Sequence, residues 1–313
     1  ISKGYFSEQS GFILTGLRTD FFYGPRQSYL RNLVIQTPGS LIRRSAAISY
    51  PSLEAMQKDL GSLTLNANIN ESRIQVKDIL AFAPQLRGQP GFTNPDATWI
   101  VDGDVHGSMK QLYVNDFYFK GLQNTRLNID GSIASLMDMN NISADLAIKE
   151  FSTSRSDLYL FIPKGSIPEN VTIPEMMGMR GTIKGNTGNI RANLAINTTS
   201  GNATVNGQFR NLSNPQNIIY DLDLATQSLN LGSILQMSET LGTLTSDLRL
   251  TGSGFDPATM NAKINGVINS VSYNKYNYKY INIDGAINNQ QFNAIASIAD
   301  PNIDLDVDIN GDL

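Results

Sequence analysis

From Leu63 onward, apolar side chains occupy alternate positions with small polar ones between them, and a period of two predicts β-strands. Ile190, Ala192, Leu194 and Ile196 alternate with Arg191, Asn193 and Ala195, and Ala203, Val205, Gly207 and Phe209 follow. Tyr220, Leu222 and Leu224 flank Asp221 and Asp223. Near the end, Ile281 and Ile283 precede Ile303, Leu305, Val307 and Ile309, which interleave with Asp304, Asp306 and Asp308. The pleat puts each apolar set on one face. Turn signals at Gly201-Asn202, Asn214-Pro215, Asn288-Asn289 and Asp300-Pro301 leave only short loops. Short loops join antiparallel neighbours, since a parallel crossover needs a dozen residues or more, so the pattern predicts a long antiparallel meander.

Helical signals are few and short. Leu53, Met56 and Leu60 share a helix face in a segment from Pro51 to Leu60, with Gly61 as the stop. A second helix is predicted from Asp78 to Leu86 despite Pro84, and a third follows Ser154-x-x-Asp157, a capping-box pattern ahead of Leu158 and Phe161. A fourth is predicted from Ser233 to Glu239. None is large enough to cover such a sheet. Its apolar face must therefore pack on a second sheet, close into a barrel, or curl into a trough around an apolar ligand. A membrane barrel would turn its apolar side chains outward between aromatic girdles, whereas one face here is Asn, Asp, Lys and Thr throughout.

An x-[VIL]-x-G element recurs as Asp104-Val105-His106-Gly107, Thr182-Ile183-Lys184-Gly185 and Arg249-Leu250-Thr251-Gly252, with glycines 78 and 67 residues apart. Each copy follows one of the short helices at a comparable offset. The expected unit is a helix followed by several hairpin-connected strands, stacked in one dimension. The chain then divides into an N-terminal β segment, 1–62, with its helix at 51–60, and a continuous repeating body, 63–313, with repeats near 63–153, 154–230 and 231–313.

Composition sharpens this picture. The 313 residues include 32 Asn, too many for a helical protein, with 17% charged and 41% hydrophobic residues. The formal net charge of −4 makes no field that a nucleic acid or an anionic membrane surface would seek, and no nucleic-acid partner is expected. The absence of cysteine removes thiolate chemistry and Cys-ligated zinc, and is compatible with an oxidising compartment. A single histidine excludes sites that need two imidazoles. No apolar run is long enough for a membrane helix and Ile1 opens no signal peptide, so the chain is expected to begin within a longer protein or after processing.

Sites of chemistry are sparse. His106 is the one imidazole, and alternation sends it outward beside Asp104 with no nucleophile elbow to accompany it. Asp306-x-Asp308-x-Asn310-Gly311 matches the opening of a calcium loop, but Asp304 extends the same spacing backwards, as the polar face of a strand would. Tyr273, Tyr276, Tyr278 and Tyr280 suggest cross-strand aromatic packing. No phosphate loop or dinucleotide fingerprint is present. The expectation is a non-enzyme without cofactor or metal.

Several stretches resemble the TamB-like proteins of the AsmA superfamily, found in Gram-negative envelopes. Val76-Lys77-Asp78-Ile79-Leu80-Ala81-Phe82-Ala83-Pro84-Gln85-Leu86-Arg87-Gly88 is similar to the segment that carries their FAP-L-G signature. Thr153 to Leu158, Leu250 to Asp256 and Tyr276 to Gly285 are similar to further elements, and the likeness covers most of the chain from about Leu63. It implies an elongated antiparallel β-taco, or repeating β-groove, with an apolar concave face. It also implies an inner-membrane anchor outside this fragment, a periplasmic body, an outer-membrane TamA-type barrel partner, and phospholipid transfer that supports outer-membrane biogenesis and protein assembly. The residues expected to line the groove are Leu194, Ile196, Val205, Phe209, Leu222, Leu224, Leu250, Ile264, Ile268, Ile283, Phe292, Ile303, Leu305 and Val307. The alternative is a structural or adhesive β protein whose apolar faces pack on each other and hold nothing.

Overall fold

The computed structural model describes residues 6–7, 12–138, 141–162, 165, 167–212, 214, 217–256 and 258–312. The chain is mostly β and antiparallel with a few short helices, and it divides into two compact units, Ile1–Ile162 and Pro163–Leu313. Two short strands, β1 (Phe6–Ser7) and β2 (Ile13–Leu14), pair with each other. The first unit then runs through β3 (Gly16–Tyr23), β4 (Gln27–Gln36), β5 (Leu41–Ser49), β6 (Thr64–Gln75), β7 (Thr98–Ser108), β8 (Gln111–Gly121), β9 (Thr125–Ala134) and β10 (Ser143–Ser154). The second holds β11 (Met176–Asn186), β12 (Asn189–Thr198), β13 (Gly201–Arg210), β14 (Ile219–Asn230), β15 (Leu241–Ser253), β16 (Asn261–Tyr273), β17 (Tyr276–Asn288), β18 (Gln291–Asp300) and β19 (Ile303–Asp312). Within each unit every strand pairs with its sequence neighbour, and neither sheet closes on itself.

Several turns sit one residue from their sequence signals. Gly201 and Asn202 belong to β13, and the turn is Thr199-Ser200 because Gly201 pairs with Thr198. The turn after β17 is Asn289-Gln290, both left-handed (φ 46° and 72°), and Asn274-Lys275 before β17 has the same form (φ 46° and 67°). Two left-handed residues match the twist of a hairpin, and Asn tolerates that conformation. Pro215 lies outside the described residues.

The helices are α1 (Leu53–Lys58), α2 (Val76–Phe82), α3 (Arg155–Tyr159) and α4 (Leu231–Ile234). Pro84, which the sequence places inside the second helix, instead opens a separate 3-10 turn, Pro84–Leu86, since its ring cannot continue an α-helix. The fourth helix corrects the Ser233 to Glu239 expectation. It starts earlier because the Asn230 side chain caps it, accepting from Ser233 N at 3.0 Å, and it ends at Ile234. Ser154 caps α3 by accepting from Asp157 N at 3.3 Å. The reciprocal half of the capping box does not form, because the Asp157 carboxylate is committed elsewhere.

That commitment recurs along the chain. After β6, Asp78 on α2 accepts from Thr37 Oγ1 at 2.6 Å and from Ser40 Oγ, both in the β4–β5 turn. After β10, Asp157 on α3 accepts from Gln123 N at 3.2 Å and Asn124 N at 2.8 Å in the β8–β9 turn, and from Thr125 Oγ1 at 2.8 Å at the start of β9. After β14, α4 meets the β12–β13 turn: Asn230 N donates to Ser200 O at 2.6 Å, and Ser233 Oγ lies 3.2 Å from Ser200 Oγ. Asp78, Asp157 and Ser233 are each the third residue of their helix. After β18 the helix is replaced by a turn, where Asp300 accepts from Tyr276 Oη, from Asn302 N at 2.9 Å and from Lys279 N at 3.1 Å. Every fourth strand therefore ends in a polar group tied to the preceding hairpin.

The bond from Tyr276 Oη, helped by those from Asn302 N and Lys279 N, holds the Asp300 carboxyl below the usual carboxylate range, and Asp300 in turn pushes the Tyr276 phenol up. The stability Asp300 contributes is present above about pH 4 and lost as pH falls through its lowered value. The contribution of Tyr276 is present below about pH 10 and lost as pH rises through its raised value. Thermal melts across pH should show Tyr276→Phe losing stability in the neutral range while its curve flattens in both the acid and alkaline limbs. A variant curve parallel to the parent's at every pH would contradict the linkage.

The repeated glycines have an equivalent steric role. A Cβ on Gly107, Gly185 or Gly252 would lie 2.2, 2.0 or 2.4 Å from a backbone carbonyl oxygen at the start of the next strand, that of Gln111, Asn189 or Asn261. Gly107 and Gly185 also adopt φ near +120° and +133°, which L side chains rarely accept.

Candidate functional site

Residues opposed across an antiparallel ladder point the same way, so register fixes the faces. In the second unit one row runs Gly181, Leu194, Val205, Leu224, Leu248, Gly266, Ile283, Ala296, Val307. The next runs Ile183, Ala192, Gly207, Leu222, Leu250, Ile264, Gly285, Ala294, Ile309. To one side lies the row that holds Ile196, Ile268, Ile281, Ile298 and Leu305, and to the other the row of Ile190, Phe209, Tyr220 and Phe292. Ile303 continues β19 on the same side, opposite Asp300. All fourteen residues singled out by alternation thus share one face of one sheet. Ile183, Leu248, Ile281 and Ile298 belong with them, and continued alternation was the signal for each.

The opposite face is polar. Thr182, Asn193, Asn206, Asp223, Arg249, Asn265 and Asp284 form one of its rows. Arg249 bridges Asp223 at 2.9 Å and also Asp221, and these partners raise its already high pKa. Thr226 and Ser246 are polar residues within the apolar rows, and they satisfy each other with hydroxyl oxygens 2.9 Å apart. Asp304, Asp306, Asp308 and Asn310 lie exposed along the extended polar side of β19. Among the described residues no group of three His, Cys, Asp or Glu could hold a metal. His106 stacks on Tyr113 with centroids 5.2 Å apart, and Asp104 accepts from Asn68 Nδ2, so both face outward without a nucleophile between them. Tyr276 and Tyr278 meet edge to face at 4.7 Å along β17 itself, while the cross-strand aromatic pair in the ladder is Tyr273 opposite Tyr276.

The first unit repeats the arrangement with a complication. One apolar row runs Ala46, Ala67, Val105, Val114, Gly131, Leu146. Bulges then interrupt the ladder at Arg31-Asn32, Asn70-Glu71, Asn115-Asp116 and Lys149, and Asn32, Glu71 and Asp116 take left-handed φ of 49°, 41° and 47°. Each bulge adds one residue, so successive face-sharing residues are three apart, as in Leu30/Leu33, Val114/Phe117 and Ile148/Phe151. A strict period of two misses these strands. A three-residue step with two polar residues inside it is the sign that would find them.

The apolar faces are sheltered but not sealed. Their residues are mostly half-buried, while those of the polar rows are mostly exposed. Among the described residues of the second unit, the buried apolar side chains are Ala192, Tyr220, Leu222, Leu248 and Ile281. On β19, Leu305 is 47% and Ile309 50% exposed. The accessible surface is 18812 Å², against about 12,900 Å² for a compact monomer of this mass and about 15,500 Å² for two separate compact halves. A sandwich interior would hide these rows completely.

Comparison with protein-family models, curated proteins and solved structures finds no match for the chain.

Proposed function

We propose that this chain is a TamB-like, non-catalytic lipid carrier, with phospholipid acyl chains lying on the apolar face of its sheets and headgroups left in water. In this reading it works in the periplasm of a Gram-negative envelope, between an inner-membrane anchor and an outer-membrane TamA-type barrel, and supports outer-membrane biogenesis and protein assembly. The observation that carries the reading is the run of aligned apolar rows across nine consecutive strands, most of whose side chains are only half-buried. Eight inter-strand steps of ~4.8 Å give a row of about 38 Å in the second unit, longer than the ~15 Å half-thickness of a bilayer core that one acyl chain spans. Each buried methylene contributes about 0.8 kcal/mol, so one chain gains on the order of ten kcal/mol. Rows of similar Leu, Ile and Val offer it no deep trap, which suits sliding more than storage.

Leu222 is one of the few fully buried residues of the face, so a charge there would test folding as much as binding. Ile283 is half-buried and better placed. The parent, gently purified, should carry phospholipid in native mass spectra, and Ile283→Asp should retain at least tenfold less while keeping its β-type circular dichroism. A parent that arrives empty, or a folded Ile283→Asp that holds as much lipid, overturns the proposal in favour of a structural β protein.

A further inference from the structure

The chain's net charge of −4 conceals a strongly basic region. Phe12 to Ser49, which includes β3, β4 and β5, carries five arginines and one aspartate. Register places Arg18, Val34 and Arg43 in line across these three strands on the polar face, with Arg31 one bulged step along β4. Arg18, Arg31, Arg43 and Arg44 line one open cavity of about 830 Å³ together with Ser45 and the amides of Asn66 and Asn68. No carboxylate belongs to that lining. Asp20, opposite Arg31, accepts from Asn32 Nδ2 at 2.7 Å, and Asp104 accepts from Asn68 Nδ2; Arg43 also borders a second cavity that holds Glu71, Asp102 and Asp116, without an ion pair to any of them among the described residues. None of the four guanidiniums has a carboxylate partner among the described residues.

Two of the four are held in place by neutral groups. Arg31 lies 4.2 Å over the Tyr29 ring, itself stacked on Phe22 at 5.3 Å, and Arg44 Nη1 donates to Asn68 Oδ1 at 3.2 Å. Such contacts fix a guanidinium without neutralising it, leaving N–H groups free for an anion. Arg18 and Arg43 stand two strands apart, about 10 Å between backbones, a span that two arginine side chains can close around one tetrahedral group. By contrast, the exposed cations on the polar face of the other strands are paired where carboxylates lie beside them, Lys149 with Asp116 and Asp130, and Arg249 with Asp221 and Asp223.

We propose that this cavity on β3–β6 is a binding site for a phosphate group, whether borne by a phospholipid headgroup at a membrane surface or by a soluble ion or ester. The site lies on the face opposite the apolar rows and does not depend on the acyl-chain reading. The whole chain would be titrated calorimetrically with inorganic phosphate, and floated with vesicles of phosphatidylglycerol and, as a neutral control, phosphatidylcholine. The double variant R31Q/R43Q should bind at least tenfold more weakly to whichever probe the parent takes. Arg191→Gln, an exposed arginine on the polar face of β12, should leave binding unchanged. Phosphatidylglycerol binding without inorganic phosphate assigns the site to headgroups, and the reverse assigns it to a soluble ligand. A parent that binds neither phosphate probe overturns the proposal, even if it captures duplex DNA. So does an Arg191→Gln loss as large as that of the double variant, which would reduce the effect to bulk charge.

Discussion

Replacing Asp157 with alanine is expected to cost the first unit about 4 kcal/mol, the largest single-residue effect in the molecule. Its carboxylate is 1% exposed and accepts from two backbone N–H groups of the β8–β9 turn and one hydroxyl at the start of β9. Truncation leaves Gln123 N and Asn124 N without that acceptor and Thr125 Oγ1 with Thr153 Oγ1, 2.9 Å away, as its partner. It also frees α3 from the hairpin it closes. Asp157→Asn keeps one acceptor oxygen and should cost roughly half as much, because a charge-assisted bond is worth about twice a neutral one. Urea unfolding followed by circular dichroism measures both variants. A midpoint for the alanine variant that moves by less than the equivalent of about 1 kcal/mol would remove the anchor from the account of the fold.

Gly185→Ala should be nearly as damaging despite adding only a methyl group. The new Cβ would sit 2.0 Å from Asn189 O, on a rigid ladder rather than a mobile side chain, at a φ of +133°. The strands must part or the backbone must rotate, and about 2–4 kcal/mol follows, equivalent to roughly 10 °C in the melting temperature of a unit this size. Gly188, three residues on in the same hairpin, supplies the control. Its added Cβ would meet only the Asn186 side-chain oxygen, at 3.2 Å, so Gly188→Ala should lie within about 1 kcal/mol of the parent. Equal melting temperatures for the two variants would show that the collision is relieved at little cost.

The strands of the second unit were legible because their alternation is almost unbroken. Ile190 to Ile196 and Ile303 to Ile309 keep the period of two from end to end, and hydrogen-bonded register merely aligned rows that the sequence had already sorted into faces. β4, β6, β8 and β10 were less legible because Asn32, Glu71, Asp116 and Lys149 each insert a residue that reverses the apparent phase. The anchors were half legible. Ser154 and Asp157 announce a helix start, but nothing local reveals that the Asp157 oxygens serve a turn more than thirty residues earlier. The arginine-lined cavity was hidden by summing charge over the whole chain, which balances five arginines between Phe12 and Ser49 against aspartates spread along the later strands.

Because each strand lies beside its predecessor and each anchor reaches back only to the hairpin just before it, no bond in either ladder waits for a distant stretch of chain. The tie from Asp78 to Thr37 spans 41 residues, and outside the ladders Gln236 Nε2 reaches Glu169 O across 67. Loop-closure entropy stays small at every step, so ordering can advance from the amino end as the polypeptide emerges, one hairpin at a time. Growth of this kind has a single advancing edge, each new strand pairing the amides its predecessor left open, which limits the time available at that edge for wrong associations during synthesis.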